Sequence, residues 1–219
     1  TLDRDRTLDC MDFERGTHTI NLAGRTLIVT NEFSAYSNMT VAGTQTLTVN
    51  GGGGTLQIGA SPTNRATRFR LGWKTYWSGS ALLSRMILTN TSLLVYADDV
   101  TIAWNTNRWD SGVSSALLQC STSSVFLVGT MTLGERSGAT GVLTAVKGGR
   151  IRIGNTNALA RLRLGHQTYR EYTTEGVIRA TNWILETWLD HLVLGSGYSP
   201  NSGIGVGTLV DRSGGWASF

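Results

Sequence analysis

Three aspartates lie close to two tryptophans in the middle of the sequence, and this combination could cleave a glycosidic bond. The aspartates are Asp98, Asp99 and Asp110, and the tryptophans are Trp104 and Trp109. Glycoside hydrolysis needs one carboxylic acid to protonate the leaving oxygen and a second carboxylate to act as nucleophile or base. Adjacent aspartates are also ordinary at a bend in a strand. Catalysis by these aspartates is therefore an alternative hypothesis, and a protein without enzymatic activity is the favoured interpretation.

Aromatic residues with polar neighbours form a second group of candidates. A tryptophan or tyrosine beside Gly, Asn, Thr or Ser often points outward, and an exposed ring can bind a sugar by stacking while Arg or Asn donates hydrogen bonds. Tryptophan is also common in cores and subunit interfaces, so both interpretations stay open. The candidates for glycan binding are Trp73, Tyr76, Trp77, Trp104, Trp109 and Arg108.

Other common catalytic and ligand-binding patterns are missing from the sequence. The three histidines, His18, His166 and His191, are far apart and have no metal-ligand spacing. There is no nucleophile elbow, phosphate-binding loop or dinucleotide-binding fingerprint. Cys10 and Cys120 neither require nor exclude a single disulfide bridge. We therefore expect no metal and no cofactor.

The composition is typical of a β protein with few charges. Of 219 residues, 27 are Gly and 2 are Pro, and 16% are charged, against roughly 25% in an average soluble domain. The net charge of +4 comes from 17 arginines and two lysines, which are spread along the chain. Because the basic residues are not clustered, we expect no nucleic acid partner. No apolar run approaches the length of a transmembrane helix, so we expect no insertion into a membrane.

Short segments of alternating apolar and polar residues follow one another from residue 17 onward. Residues 46–50 (TLTVN) and 55–59 (TLQIG) alternate strictly and are joined by four glycines. This pattern indicates half-buried strands, and their spacing suggests a sandwich, a barrel or a β-solenoid. Residues 182–194 (NWILETWLDHLVL) fit either a helix or strands, and we favour strands because the related segment of the first half alternates. The predicted fold class is all-β.

One motif of nine residues occurs twice. Residues 68–76 (RFRLGWKTY) and 161–169 (RLRLGHQTY) are identical at six positions, and their spacing is 93 residues. Alternation directs Phe69 and Leu71 to one face of a strand and the two arginines of the motif to the other. Such arginines are solvated, paired with carboxylates of a neighbouring strand, or arranged to bind an anion. The fixed spacing indicates a repeated unit as large as a domain.

The repeat divides the chain into two related β blocks, residues 17–112 and 113–219. It predicts a β-solenoid or β-sandwich-like architecture built from two tandem related blocks. Residues 1–16 (TLDRDRTLDCMDFERG) form the most charged stretch and are interpreted as a linker or arm, or as a frayed terminus. Because the chain starts with Thr, we expect it to be processed or to be a piece of a longer protein.

Two stretches, TLTVNGGGGTLQIG (46–59) and VKGGRIRIGNTNA (146–158), resemble the β-solenoid segments of bacteriophage tail fibres and tail spikes. The resemblance is one of texture and covers most of residues 17–219: short strands rich in Thr, Gly and Asn, few Lys or Pro, and Trp scattered in loops. It implies a homotrimer in the virion tail, or alternatively on a bacterial cell surface, with other virion proteins and a host surface polysaccharide as partners. The implied role is structural and receptor-binding. A polysaccharide depolymerase and a purely structural virion component are the alternatives.

Overall fold

The all-β fold predicted from the sequence is confirmed. The computed structural model describes residues 1–14, 16–35, 43–74, 81–105, 113–136, 138–145, 149–168, 172–180, 183–197, 204–210 and 216–218. Within these residues there is no helix, and hence none long and apolar enough to span a bilayer. The strands are β1 (Arg6–Phe13), β2 (Gly16–Asn21), β3 (Thr26–Ala35), β4 (Gly43–Asn50), β5 (Thr55–Ile58), β6 (Ala66–Lys74), β7 (Leu82–Thr89), β8 (Ser92–Asn105), β9 (Ser114–Cys120), β10 (Ser123–Glu135), β11 (Ala139–Ala145), β12 (Arg150–Ile153), β13 (Ala160–His166), β14 (Thr174–Arg179), β15 (Ile184–Thr187), β16 (Leu189–Ser196), β17 (Gly205–Val210) and β18 (Trp216–Ser218).

The strands of the described residues form two sheets in which the ladders between named strands are parallel. Sheet A contains β1, β3, β5, β6, β8, β10, β12, β13, β15, β16 and β18, and sheet B contains β2, β4, β7, β9, β11, β14 and β17. The chain passes from one sheet to the other and back, so a strand inside either sheet pairs with strands from the preceding and the following passage. We call one passage along sheet A together with the following strand of sheet B a layer. Neighbouring layers are separated by about 4.8 Å, the ordinary strand spacing.

The core lies between the two sheets, where apolar side chains stack in register from layer to layer. One column in sheet A consists of Phe33, Phe69, Val100, Met131 and Leu162. The matching column in sheet B consists of Leu47, Met86, Leu118, Leu143 and Ile178. All ten side chains are fully buried, and burying one such side chain contributes about 1.5–3 kcal/mol. The period-two alternation of the sequence is therefore the pattern of these inward columns.

A bend with left-handed backbone recurs at the same place in five successive layers. The φ angles there are 70° at Gly72, 65° at Ala103, 68° at Gly134, 67° at Gly165 and 64° at Gly195. This conformation disfavours residues with a side chain by about 1–2 kcal/mol, which explains the glycines. The bend also brings sheet A against sheet B: a Cβ at Gly165 would lie 2.2 Å from the backbone oxygen of Val206.

The two copies of the repeated motif occupy equivalent positions three layers apart. Their described parts, residues 68–74 and 161–168, lie mostly in β6 and β13, which are separated by β8 and β10. The 93-residue spacing therefore corresponds to three layers of about 31 residues. Parallel pairing also continues across the boundary placed between residues 112 and 113, because β8 pairs with β10 and β7 pairs with β9. The predicted inward directions of Phe69 and Leu71 are confirmed by their burial.

The ends of the chain belong to the same two sheets. Residues 6–13, within the segment interpreted as an arm or linker, form β1 and pair with β3. Near the other end, β15 and β16 confirm that strands and not a helix follow residue 183. Cys10 is exposed and Cys120 is buried, and both are free thiols. Burial raises the pKa of Cys120 to about 12.

Candidate functional site

On six strands of sheet A, the side chains that point away from the core form three parallel columns, which we call the ladder face. The strands are β3, β6, β8, β10, β13 and β16. The first column is Glu32, Arg68, Asp99, Thr130, Arg161 and His191. The second is Ser34, Arg70, Thr101, Thr132, Arg163 and Val193. The third follows the bend and is Trp73, Trp104, Glu135, His166 and Ser196. These columns unite most of the charged and aromatic candidates that the structure describes.

Two tryptophans and two arginines stack on one another at the edge of the ladder face. The rings of Trp73 and Trp104 are 3.8 Å apart and nearly parallel, at 10°. The guanidinium carbon of Arg70 lies 3.7 Å from the Trp73 ring centroid, and that of Arg136 lies 4.7 Å from the Trp104 ring centroid. Cation–π contacts of this kind are strongest where the cation is partly desolvated. The group is therefore a continuous stack built from three layers.

The stack leaves little of the indole faces open. Trp104 occupies one face of Trp73 at van der Waals distance, so Arg70, which is equally close, must cover the other. Trp104 is only 9% exposed and is the penultimate residue of β8, so the exposed ring that its polar neighbours suggested is not found. A sugar at this position would contact ring edges and guanidinium groups and would not lie flat on an open indole.

The two arginines of the stack are held in place by further contacts. The Nη1 atom of Arg70 lies 4.0 Å from Oε1 of Glu32, which also accepts a 3.0 Å hydrogen bond from the Ser34 hydroxyl. This pairing with a carboxylate of the neighbouring strand is one of the alternatives that the sequence left open. Arg136 has a left-handed backbone, with φ of 68°. Its amide donates to the carbonyl of His166 at 3.1 Å, and its own carbonyl accepts from the Thr174 hydroxyl.

A second carboxyl group accompanies Asp99 on the ladder face. Glu135 is paired in register with Trp104, and its pKa is raised by burial and by the negative charge of Asp99, against the opposing effect of Arg136 and Arg163. Asp99 itself accepts a 3.1 Å hydrogen bond from the Thr101 hydroxyl. A carboxyl group that keeps its proton to a higher pH, close to a second carboxylate, is the arrangement used in acid–base catalysis.

His166 lies beside Glu135 in the next layer. Its Nδ1 atom is 3.9 Å from Oε1 of Glu135. Burial, and to a smaller extent the charge of Arg163, lowers the pKa of His166 below 6.5. The imidazole is therefore mostly neutral at pH 7, and its contact with Glu135 is not a charged pair there.

The structure brings together some of the residues singled out in the sequence. Trp73, Trp104 and Asp99 lie on the ladder face. Asp98 is exposed one residue before Asp99, where Gly129 of the next layer packs against its carbonyl. Five candidates lie outside the described residues: Tyr76, Trp77, Arg108, Trp109 and Asp110.

Sequence reasoning missed Glu135, Arg136 and the proximity of Arg70 to the tryptophans. The sequence does contain a signal for them. A Gly or Ala that directly follows an aliphatic residue recurs at positions 72, 103, 134 and 165, which are 31 residues apart. Aligning the chain on these bends would have placed Glu135 and His166 in the column of Trp73 and Trp104.

The described residues contain no group of three or more His, Cys, Asp or Glu side chains that could hold a metal ion. Comparison of the chain with protein-family models, with curated proteins and with solved structures gives no match. The arrangement of its own side chains therefore carries the functional argument.

Proposed function

We propose that the stacked layers form a β-solenoid and that the chain is a structural, receptor-binding segment of a bacteriophage tail fibre or spike. It contacts a host surface glycan and is not an enzyme. The solenoid interpretation is supported by the parallel ladders of both sheets and by the 31-residue recurrence of the bend. The sandwich alternative is less well supported, because every ladder between named strands of the described residues is parallel. The texture of the sequence supports the virion tail, with a bacterial cell surface as the alternative location.

The stack of Arg70, Trp73, Trp104 and Arg136 is the observation that carries glycan binding. Its guanidinium groups are donors for sugar hydroxyls and carboxylates, and the partly exposed Trp73 offers an apolar edge beside them. Parallel strands hold these groups in place before a ligand arrives, so little conformational entropy is lost on binding. A binding surface with these properties suits a repetitive, hydroxyl-rich polymer.

Binding to immobilised host capsular polysaccharide or lipopolysaccharide tests this proposal. Trp73→Ala and Arg70→Gln are each expected to weaken binding about tenfold. Arg85→Gln, an exposed arginine on β7 of sheet B, is the matched control and should bind like the original protein. Thermal unfolding of each variant shows whether weaker binding results from the loss of a contact with the glycan or from a protein that no longer folds. If folded Trp73→Ala and Trp104→Ala proteins support unchanged adsorption to the host, the purely structural alternative replaces the proposal.

The assembly that we propose is a homotrimer bound to other virion proteins. Parallel fibres of three chains would present three copies of the ladder face and raise the apparent affinity for a polymer through avidity. Light scattering should give a mass about three times that of the 23.6 kDa chain. A monomer at micromolar concentration would exclude the trimer.

The second candidate function is a polysaccharide depolymerase, and the position of Glu135 favours it. Glu135 would act as the acid and Asp99 as the base or nucleophile, in place of the Asp98, Asp99 and Asp110 set suggested by the sequence. Release of new reducing ends from host polysaccharide, lost in both Asp99→Asn and Glu135→Gln, would establish this function. Asp98→Asn is the matched control, because Asp98 precedes the ladder column.

A further inference from the structure

The two repeated motifs place one exposed arginine each in the first column of the ladder face. Arg68 lies on β6 and Arg161 on β13, and both side chains are exposed. Since three strand spacings separate them, their backbones are about 14 Å apart along the direction in which the layers stack. Within the part of the chain that the structure describes, neither arginine has a carboxylate within ion-pair distance.

Two groups of different character lie between the arginines in the same column. Asp99 follows Arg68 in register, and Thr130 follows Asp99 and precedes Arg161. From Arg68 to Arg161 the column therefore reads positive, negative, neutral, positive, while Glu32 precedes Arg68 and His191 follows Arg161. A ligand that follows this part of the column needs an anionic group at each arginine and hydroxyl groups between them.

We propose that this column binds a linear acidic polysaccharide in which neutral sugars separate the acidic ones, with its chain running across the strands. The guanidinium of each arginine holds one carboxylate or phosphate, for which its planar fork is suited. Asp99 accepts a hydrogen bond from a hydroxyl of the intervening neutral sugar, and the Thr130 hydroxyl can donate or accept. This inference rests on the proposed glycan-binding function and specifies the class of glycan.

Charge density distinguishes this ligand from other anionic polymers. A nucleic acid carries a phosphate at every nucleotide, and alginate carries a carboxylate on every sugar. Either polymer would bring an anion against Asp99, and like charges in contact are unfavourable. An acidic group repeated at intervals avoids Asp99 and still reaches both arginines.

The test measures binding of four probes to the whole chain: hyaluronan, in which a neutral sugar separates the uronic acids, alginate, neutral dextran and single-stranded DNA. Hyaluronan is expected to bind more tightly than the other three. Arg68→Gln and Arg161→Gln should each weaken hyaluronan binding about fivefold, and the double variant about 25-fold. Asp99→Asn should raise the affinity for alginate a few-fold and bring it closer to that for hyaluronan.

The matched control is the double variant Arg85→Gln/Arg179→Gln. These two arginines are exposed on β7 and β14 of sheet B, which are also three strands apart. Equal losses in the two double variants would show a general effect of net charge and overturn the inference. DNA binding as tight as hyaluronan binding, with the same sensitivity to Arg68 and Arg161, would replace the polysaccharide by nucleic acid.

Measuring the binding of the same variants to host polysaccharide distinguishes a failure of this inference from a failure of the proposed function. If binding to host polysaccharide persists in Arg68→Gln/Arg161→Gln and is lost in Trp73→Ala, the proposed glycan binding is supported and the inference about an acidic polysaccharide is wrong. Absence of binding to host glycan and to all four probes removes both.

Discussion

The two copies of the repeated motif share a backbone and differ in what their side chains contact. In the first copy, Arg70 lies over Trp73, which stacks on Trp104 of the next layer. In the second copy, His166 takes the place of Trp73 and lies 3.9 Å from Glu135 of the preceding layer. The copies pass through the same left-handed bend, with φ of 70° and 67°.

The motif therefore specifies a strand and a bend, whereas the adjoining layers specify the chemistry. The inward residues of both copies contact a core that is apolar in every layer. The outward residues contact whatever the layers above and below supply, which is an aromatic ring in one case and a carboxyl group in the other. Substitutions that exchange features between the copies therefore test how independent the two levels are.

The largest effect is expected at the bend of the second copy. Gly165→Ala should lower the free energy of unfolding by about 3 kcal/mol, because it adds a side chain in the left-handed region and places Cβ 2.2 Å from the backbone oxygen of Val206. Gly72→Ala should lower it by only about 2 kcal/mol, since the nearest atom is the Cβ of Ala116, at 2.6 Å. Unfolding in denaturant measures both changes.

Two further variants sharpen this difference. Ala116→Gly in the Gly72→Ala background should recover part of the loss, because it removes the atom in contact. Ala103→Gly, at the one bend of the five that carries a side chain, should change stability by less than about 1 kcal/mol, since relief of the left-handed conformation is offset by the loss of a buried methyl group. A Gly165→Ala protein as stable as Ala103→Gly would show that the bend does not constrain the fold.

An intermediate effect is expected when the first copy is made to resemble the second at its outward position. Trp73→His should lower the free energy of unfolding by about 1 kcal/mol, because it removes the stacked contact with Trp104 and the cover over Arg70. The reciprocal His166→Trp should gain no comparable energy, since its register neighbours are Glu135 and Ser196. A double-mutant cycle between Trp73 and Trp104 measures the coupling, and a value near zero would show that the stacked contact does not stabilise the fold.

The smallest effect is a pH dependence that arises where the second copy contacts the preceding layer. The pKa of Glu135 is higher in the folded protein than its ordinary value of 4.5, so folding is favoured while the group is protonated, and this contribution is lost as the pH rises through the raised pKa. Glu135→Gln should therefore be more stable than the original protein at pH 7, and the difference should vanish well below pH 4.5. Thermal unfolding across this pH range measures it.

His166 acts in the opposite direction in the same region. Its pKa is lower in the folded protein than 6.5, so stability decreases as the pH falls from 6.5 towards the folded value. His166→Gln should reduce this loss at acidic pH.

Glu175→Gln, on sheet B, is the control for Glu135→Gln. A pH profile that Glu135→Gln leaves unchanged would show that the burial of Glu135 has no energetic consequence.

The all-β fold class and the inward faces of the alternating strands after residue 17 can be read from the amino-acid sequence, whereas residues 6–13, interpreted as part of an arm, form β1. Alternation in residues 46–50, 55–58 and 68–71 is a local property, because each strand separates water from the core whatever its neighbours are. The repeated motif also determined that two distant segments share a backbone conformation, including the glycine at the bend. These features depend on a few consecutive residues and can be read from them.

Which layers adjoin, and therefore which side chains meet, depends on the register between strands that are distant in the sequence. Parallel pairing joins residues one layer apart, and the layer length varies where the chain changes direction: Leu56 pairs with Leu93 at a spacing of 37 residues, whereas Ser124 pairs with Ile151 at 27. This variation hides the 31-residue period with which the left-handed bend recurs at residues 72, 103, 134 and 165. The contacts between Trp73 and Trp104, and between Arg70 and Glu32, depend on that register, so no single segment of the sequence contains them.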